Sequence, residues 1–345
     1  MHAHCPLPKL DFDIITLGHG SGGTLSNQLL ETGVFKLFQN ELLNKKHDGA
    51  IFNLPGRVAM STDSYVVSPI FFAGGNIGDL AVNGTVNDLA MCGAAAKYLS
   101  LGFVLEEGLK MEEFWQILNT IKFCCDEAGV QIITGDTKVV EKGKGDKIFI
   151  NTTGIGEVHP NANIDIDNIK DSDKIILSGP LARHGITIMS HRQGLEFETS
   201  ITTDSRPLKK IVIELLDLFG EKVHFLRDPT RGGLSSVLNE ISRDANVGIN
   251  INEKDIPVEE EVHGACEMLG LDPLYVANEG LFVSVVEASV ADAFISYLKN
   301  WEHGCMAAVI GEVVPEHPKQ VVLNSNIGGR RVVNMLAGEQ LPRIC

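Results

Sequence analysis

No stretch of this 345-residue chain approaches the roughly 20 uninterrupted apolar residues of a membrane-spanning helix. The most apolar passage, YVVSPIFFAGG, is broken by Pro69 and two glycines. The opening MHAHCPLPKLDFD has neither a basic segment nor an apolar signal region, so export is not expected and a cytoplasmic location is. Basic residues are the minority, 29 against 45 acidic ones, and the resulting net charge of −16 repels phosphate backbones. That excludes nucleic acid as a partner class. The seven cysteines (5, 92, 124, 125, 266, 305 and 345) are odd in number and contain no C-x-x-C pair. Neither a structural zinc nor a secreted disulfide framework fits. Cys124 and Cys125 fall in the helical pattern FWQILNTIKFCCDEAG, where packing is their ordinary use; HAHC at the start reads as an unstructured leader rather than a metal site.

What is present predicts two domains: the length exceeds one core, and 44% of residues are hydrophobic. FDIITL alternates as a strand and runs into GHGSGG, followed by a helical pattern from Thr24 to about Asn44. DGAIFNL and RVAMSTDSYVVS read as strands joined at Pro55-Gly56. IGDLAVNGTVNDLAMCGA has helical spacing and ends near Gly93, before the strand KYLSLGFVL, a helix over 111–128, and the strands VQIITGDTKVV and DKIFINTTGIGEV. Residues 161–174 are polar and Asp/Asn-rich, a natural linker. The phrase IGEV closes both the unit before it and the unit from KIILSGPLARHG to AAVIGEVVP, so the two are of similar α+β type. The nine residues from Ala337 to Cys345 reach about 30 Å when extended, enough to cross a domain face.

GHGSGG satisfies G-x-G-x-x-G after a strand and before a helix. The dinucleotide reading nonetheless lacks its ribose-gripping acid, because AIFNLPG closes with Pro and Gly, and no Gly-Lys-Ser/Thr follows to make a Walker loop. Two readings stay open: backbone N–H groups cradling an anion such as a triphosphate, or a flexible turn. A set of aspartates is more telling. Asp63 and Asp136 close apolar strands, Asp228 follows VHFL, Asp48 begins DGAIF, and Asp88 sits mid-helix among apolar residues. Singly each is an ordinary cap or turn former. Together they point to a shared site, since crowded carboxylates repel unless a cation lies between them, and hard oxygen ligands select Mg²⁺.

These phrases resemble the aminoimidazole ribonucleotide synthetase-like superfamily of ATP enzymes over nearly the whole chain. Within it, HGSGGTLSNQLL, STDSYVVSPIFFAGGNIGDLAVNGTVNDLAMCGA, GDTKVV, RDPTRGGL, NEGL and the final PRIC are similar to the HypE family of hydrogenase maturation proteins. The resemblance implies an α+β fold of two domains with mixed and antiparallel sheets packed with helices. Its divisions are residues 1–160 for ATP binding and dimerisation, 161–323 for the second α+β domain, and 324–345 for a C-terminal segment and mobile tail. It also implies a homodimer joined through the N-terminal sheets and two cofactors, ATP and Mg²⁺. Metal ligands carried over are Asp48, Asp63, Asp88 and Asp228. Nucleotide contacts are Asp63, Asp88, Asp136 and Asp228, with Gly20, Ser21, Gly22 and Gly23 folding over the triphosphate. Asp79 receives no role, an exposed helix-start carboxylate explaining it equally well.

The reaction implied is ATP-dependent dehydration of a carbamoyl group on the Cys345 sulfur to a thiocyanate, the source of the cyanide ligands of nickel–iron hydrogenases. A HypF-like carbamoyltransferase loads the thiol, and a HypC–HypD-like complex receives the product. An amide oxygen is a poor leaving group; phosphorylation turns it into phosphate, which leaves readily. Glu279, in a glycine-flanked turn between apolar runs, is the candidate base. Lys138 would balance charge on the phosphorylated intermediate, with an edge-strand solvated lysine as the bland alternative. Arg343 would offset the terminal carboxylate beside the thiol or dock the tail in the cleft. Cys345 must enter the ATP cleft and then swing out to its partners, a movement Gly338 and Pro342 suit. The alternatives are a selenophosphate synthetase-like enzyme, whose reactive Cys the glycine loop lacks, and a non-catalytic cyanide or metal carrier.

Overall fold

The computed structural model describes residues 12–46, 48–194, 201–336 and 343–344. Helix α1 (Thr24–Leu29) passes through a π turn, Leu30–Val34, into α2 (Phe35–Phe38). Strand β1 (Val58–Tyr65) and the small hairpin β2 (Phe71–Phe72)–β3 (Gly75–Asn76) lead to α3 (Ile77–Met91) and β4 (Ala94–Glu106). Helix α4 (Met111–Ala128), β5 (Gln131–Val140) and β6 (Ile148–Val158) complete the first half. Its sheet has the order β1-β6-β4-β5, with β5 parallel to β4 and the other pairs antiparallel. Alternation dictates this placement: Leu99, Leu101, Phe103 and Leu105 of β4 pack beneath the helices, while Val104 and Lys97 point the other way.

The second half contains β7 (Lys174–Leu177), α5 (Arg183–Arg192), α6 (Lys209–Phe219), β8 (Val223–Arg227), α7 (Gly233–Asp244) and β9 (Gly248–Asn252). It continues with α8 (Glu260–Leu269), β10 (Val283–Val286), α9 (Ala291–Asn300), β11 (Ala308–Val314), β12 (Val321–Asn324) and β13 (Arg330–Val333). These strands make one seven-stranded sheet in the order β13-β12-β9-β11-β7-β10-β8. Both faces are covered, Ile175 and Leu177 packing into one core and Ile176 into another. IGEV lies in β6 and again in β11.

Helix α3 joins the halves. Asn76 caps it, accepting from Gly78 N at 2.8 Å, while the Asp79 carboxylate accepts from Asn76 N at 2.5 Å. Every residue of α3 except Asp88 is buried. Gly84 is required by packing, since a Cβ there would lie 2.4 Å from the Tyr65 hydroxyl. Asn87 reaches across to the second half: its Nδ2 donates to Arg206 O (3.0 Å) and Glu279 O (3.2 Å), and its Oδ1 accepts from Leu208 N (2.8 Å).

Three expectations need correcting. The helix from Thr24 stops at Phe38, because the Asn40 side chain takes the N–H groups of Leu42 and Leu43. DGAIFNL forms no strand; Pro55 and Gly56 precede β1, which is itself a sheet edge with no further strand to pair. FDIITL contributes only a single bridge, Ile14 to Lys110. Within the expected C-terminal segment, Arg330–Val333 form β13, paired antiparallel with β12.

Asn87→Ala leaves three buried backbone groups without partners and should lower unfolding free energy by about 3 kcal/mol in urea titration. A loss under about 1 kcal/mol contradicts this account of how the halves are joined.

Candidate active site

The site residues fall into two groups at opposite edges of the N-terminal sheet. At the β5 edge lies the glycine loop. Residues Leu17–Gly20 form a 3₁₀ turn, and a Cβ on Gly20 would lie 2.6 Å from Val139 N, so only glycine lets the loop press against β5. Gly22 has φ +76° and its N–H donates to Ser26 Oγ at 3.0 Å, while Ser26 donates to His19 O at 2.6 Å. Loop and strand enclose a 370 Å³ cavity lined by Gly20, Ser21, Gly22, Asp136 and Lys138 against apolar walls such as Phe38 and Phe103. Gly23 caps α1. Lys138 Nζ donates to Asp136 at 2.7 Å and holds that carboxyl below its ordinary range. Asp48 is exposed and follows the turn Leu43–Lys45, which also belongs to this edge.

At the β1 edge, Asp63, Asp88 and Asp228 line a 670 Å³ cavity together with Cys92, Arg227 and Arg231. Ser61 donates to Asp88 Oδ2 at 2.6 Å. Burial raises Asp88, and Asp63 adds to the rise. Burial also pushes Asp228 up to about 7, with Asp88 next in effect. Glu279 is 4% exposed, and burial holds its carboxyl well above the usual range, reinforced by Asp228, Asp204, Asp63 and Asp88. Its backbone is fixed: the Asp204 carboxylate accepts from Glu279 N (3.2 Å) and Gly280 N (3.0 Å).

Cys345 lies outside the described residues, as do Gly338 and Pro342 of the expected swinging arm and the HAHC leader. The two residues before the thiol are described. Arg343 pairs with Asp146 at 2.6 Å and donates to Val66 O at 2.9 Å. Ile344 is 3% exposed within the N-terminal core. Residues 343 and 344 are thus held against the N-terminal half.

A single chain does not unite the two groups. Gly102 pairs with Asp136 on one side and Asn151 on the other, and Asn151 pairs with Ser64. Asp136 and the Asp63 corner are thus three strand spacings apart, roughly 14 Å. Asp48 is likewise not with Asp63, Asp88 and Asp228. Among the described residues, no three acidic, histidine or cysteine side chains are arranged to hold a metal ion by themselves. Asp79 is buried, not exposed as expected, and beyond its capping role it lines a different, 1010 Å³ cavity with Phe123, Lys210 and Trp301. Sequence reasoning passed over Asp204, Tyr65 and His184. Asp204 sits in the polar run TTDSRP, whose only signal was a loop.

The chain matches the family "AIR synthase related protein, N-terminal domain" over residues 46–158 and "AIR synthase related protein, C-terminal domain" over 170–324. It is 48% identical to "Carbamoyl dehydratase HypE" of Azotobacter vinelandii, covering 96% of this chain and 97% of that protein. The chain belongs to the HypE family. Its fold superposes on a crystal structure of hydrogenase maturation protein HypE in complex with ATP at a TM-score of 0.92, with 46% identity over 95% of this chain and 99% of that one. A HypE chain from a HypE–HypF complex superposes at 0.79, with 44% identity over 89% and 99%. Among the described residues of this HypE-family chain, no helix is long and apolar enough to cross a membrane.

The raised carboxyl of Asp228 has a stability consequence. Between about pH 4 and pH 7 the folded chain keeps a proton that the unfolded chain has released, so stability falls as pH rises through that window. In metal-free buffer, Asp228→Asn should flatten this fall and exceed the parent by about 1–4 kcal/mol at pH 7.5. Superimposable profiles of unfolding midpoint against pH would contradict the assignment.

Proposed function

We propose that this chain dehydrates a carbamoyl group carried on Cys345 to S-cyanocysteine at the expense of ATP, and supplies cyanide to a nickel–iron hydrogenase precursor in the cytoplasm. The HypE relatives support the reaction class. The observation that carries it to this chain is the burial of Ile344, one residue before the thiol, next to the segment that mounts Glu279.

Chemistry follows in two bond changes. The carbamoyl oxygen attacks the γ-phosphorus, the bond to the β-phosphate oxygen breaks, and one N–H proton passes to Glu279, giving ADP and an imidoyl phosphate. Loss of phosphate with the remaining N–H proton then leaves S–C≡N. Glu279 is the proton acceptor: a carboxylate that burial makes hard to ionise is a correspondingly stronger base once ionised. Oxygen donors at Asp63, Asp88 and Asp228 suit Mg²⁺, whose shell would need phosphate oxygens and water besides; when bound it neutralises charge on the transferring phosphoryl group.

The second half of the site would come from a second copy. β1 and β5 are both unpaired sheet edges, and β1 exposes Val58 (51%) and Met60 (68%). Joining β5 of one chain to β1 of its mate would bring the glycine loop, Asp48, Asp136 and Lys138 to Asp63, Asp88, Asp228 and Glu279. Lys138, exposed on its strand, is then available to the phosphate oxygens. The HypE–HypF complex supports a HypF-like carbamoyltransferase as the loading partner. The cyanide-bearing tail would be unloaded onto iron in a HypC–HypD-like complex.

With a HypF-like partner, carbamoyl phosphate and ATP, intact mass should rise by about 43 Da and then fall by about 18 Da. Cys345→Ala should show neither change, and Glu279→Gln should stop after the first; a complete cycle in either variant contradicts the roles given. Met60→Asp should convert a dimer to a monomer in analytical ultracentrifugation and abolish Mg-ATP turnover. A fully active monomer contradicts the shared site.

A further inference from the structure

We propose that His184 and Arg192 of α5 form a clamp on the main chain of residues 343 and 344, and so are the positioning residues that present the residue-345 sulfur for dehydration. The inference rests on the reading of Cys345 as carbamoyl carrier. His184 is fully buried. Its Nε2 lies 2.9 Å from Ile344 O, and its Nδ1 lies 2.8 Å from Thr203 Oγ1. A carbonyl only accepts, so Nε2 carries the hydrogen and Nδ1 accepts from the threonine hydroxyl. The Phe72 ring stands edge-on to the imidazole at 5.7 Å and fixes its plane. Arg192 adds the second jaw: Nε donates to Ser68 O at 2.5 Å and Nη2 donates to Arg343 O. Ser68 N also donates to Arg343 O at 3.3 Å.

Both carbonyls of the dipeptide are thus held by groups that read backbone. Arg343 shows why holding is needed. Its φ is +53°, in the left-handed region that costs a non-glycine residue about 1–2 kcal/mol. That turn drives Ile344 into the core and aims its carbonyl at His184, a conformation a free tail does not favour. Release of the clamp therefore releases the tail, and no intermediate docking is expected.

The clamp and the base share one mount. The Thr203 hydroxyl donates to His184, and the adjacent Asp204 carboxylate accepts from the backbone N–H of Glu279. The carbonyl of Ile344 is therefore held through the same segment that holds the backbone of Glu279. The clamp acts on position, touching neither nucleotide nor carbamoyl group.

The test uses full-length chain with His184→Phe, which keeps the ring but cannot donate, and His184→Gln, whose amide restores a donor. In single-turnover reactions of carbamoyl-loaded protein, His184→Phe should slow appearance of the cyanated mass by about tenfold or more, and His184→Gln should recover most of the rate. Mg-ATP affinity should stay unchanged, and loading by the carbamoyltransferase should be no slower than in the parent. Independently, a short iodoacetamide pulse read by peptide mapping should label Cys345 several-fold faster in His184→Phe, with the exposed Cys305 as an unchanged internal control. Equal Cys345 labelling in parent and variant, at equal melting temperature, overturns the clamp. If the parent itself never loses water from its carbamoyl group, the functional reading fails and the labelling ratio alone decides the clamp. Should His184→Phe not fold, Arg192→Gln is judged by the same labelling ratio.

Discussion

Glu279 and Asp228 are buried carboxyl groups, and Asp228 raises the cost of ionising Glu279 as Asp88 does for Asp228. Asp63, Asp88 and Asp204 add to that cost, and even the buried Tyr65 hydroxyl is pushed up, chiefly by burial and then by Asp63. An isolated chain meets this penalty by keeping protons. In the proposed reaction a bound cation would meet it by countercharge, letting Glu279 ionise and act as base. On that reading, the crowding that destabilises the empty cleft would make the loaded one reactive.

Topology then decides who supplies the countercharge. Strand order β1-β6-β4-β5 sends the acidic corner and the Lys138 edge to opposite margins of one sheet. A single copy cannot close that gap by side-chain movement. In the proposed dimer, two copies related by a two-fold axis would close it twice over, the exposed Val58 and Met60 of β1 being covered. Residues 343 and 344 belong to the first half: Arg343 pairs with Asp146, and Ile344 is buried in the N-terminal core.

Much of this was legible in sequence where the signal is local. Strands β4, β5 and β6 announced themselves by alternation, and α3 and α4 by three- and four-residue spacing. Asp63, Asp88, Asp228 and Glu279 stood out because polar groups inside apolar runs are costly without a purpose. What escaped was relational. DGAIFNL alternates like a strand, yet no neighbour offers it a ladder. Asp48 and Asp136 looked like companions of Asp63 because spacing along a chain says nothing of strand order. His184 and Asp204 act through partners 160 and 75 residues away, and neither sits in a pattern that periodicity can flag.

The central claim is that each site is assembled from the β5 edge of one chain and the β1 edge of another. Subunit mixing addresses it directly: Lys138→Ala and Glu279→Gln chains, each inactive alone, are unfolded together, refolded and assayed for conversion of carbamoyl to cyanide. Random pairing gives half mixed dimers, each with one intact site, so about a quarter of parental turnover should return. A mixture that exchanges subunits yet stays as inactive as its components would contradict the claim.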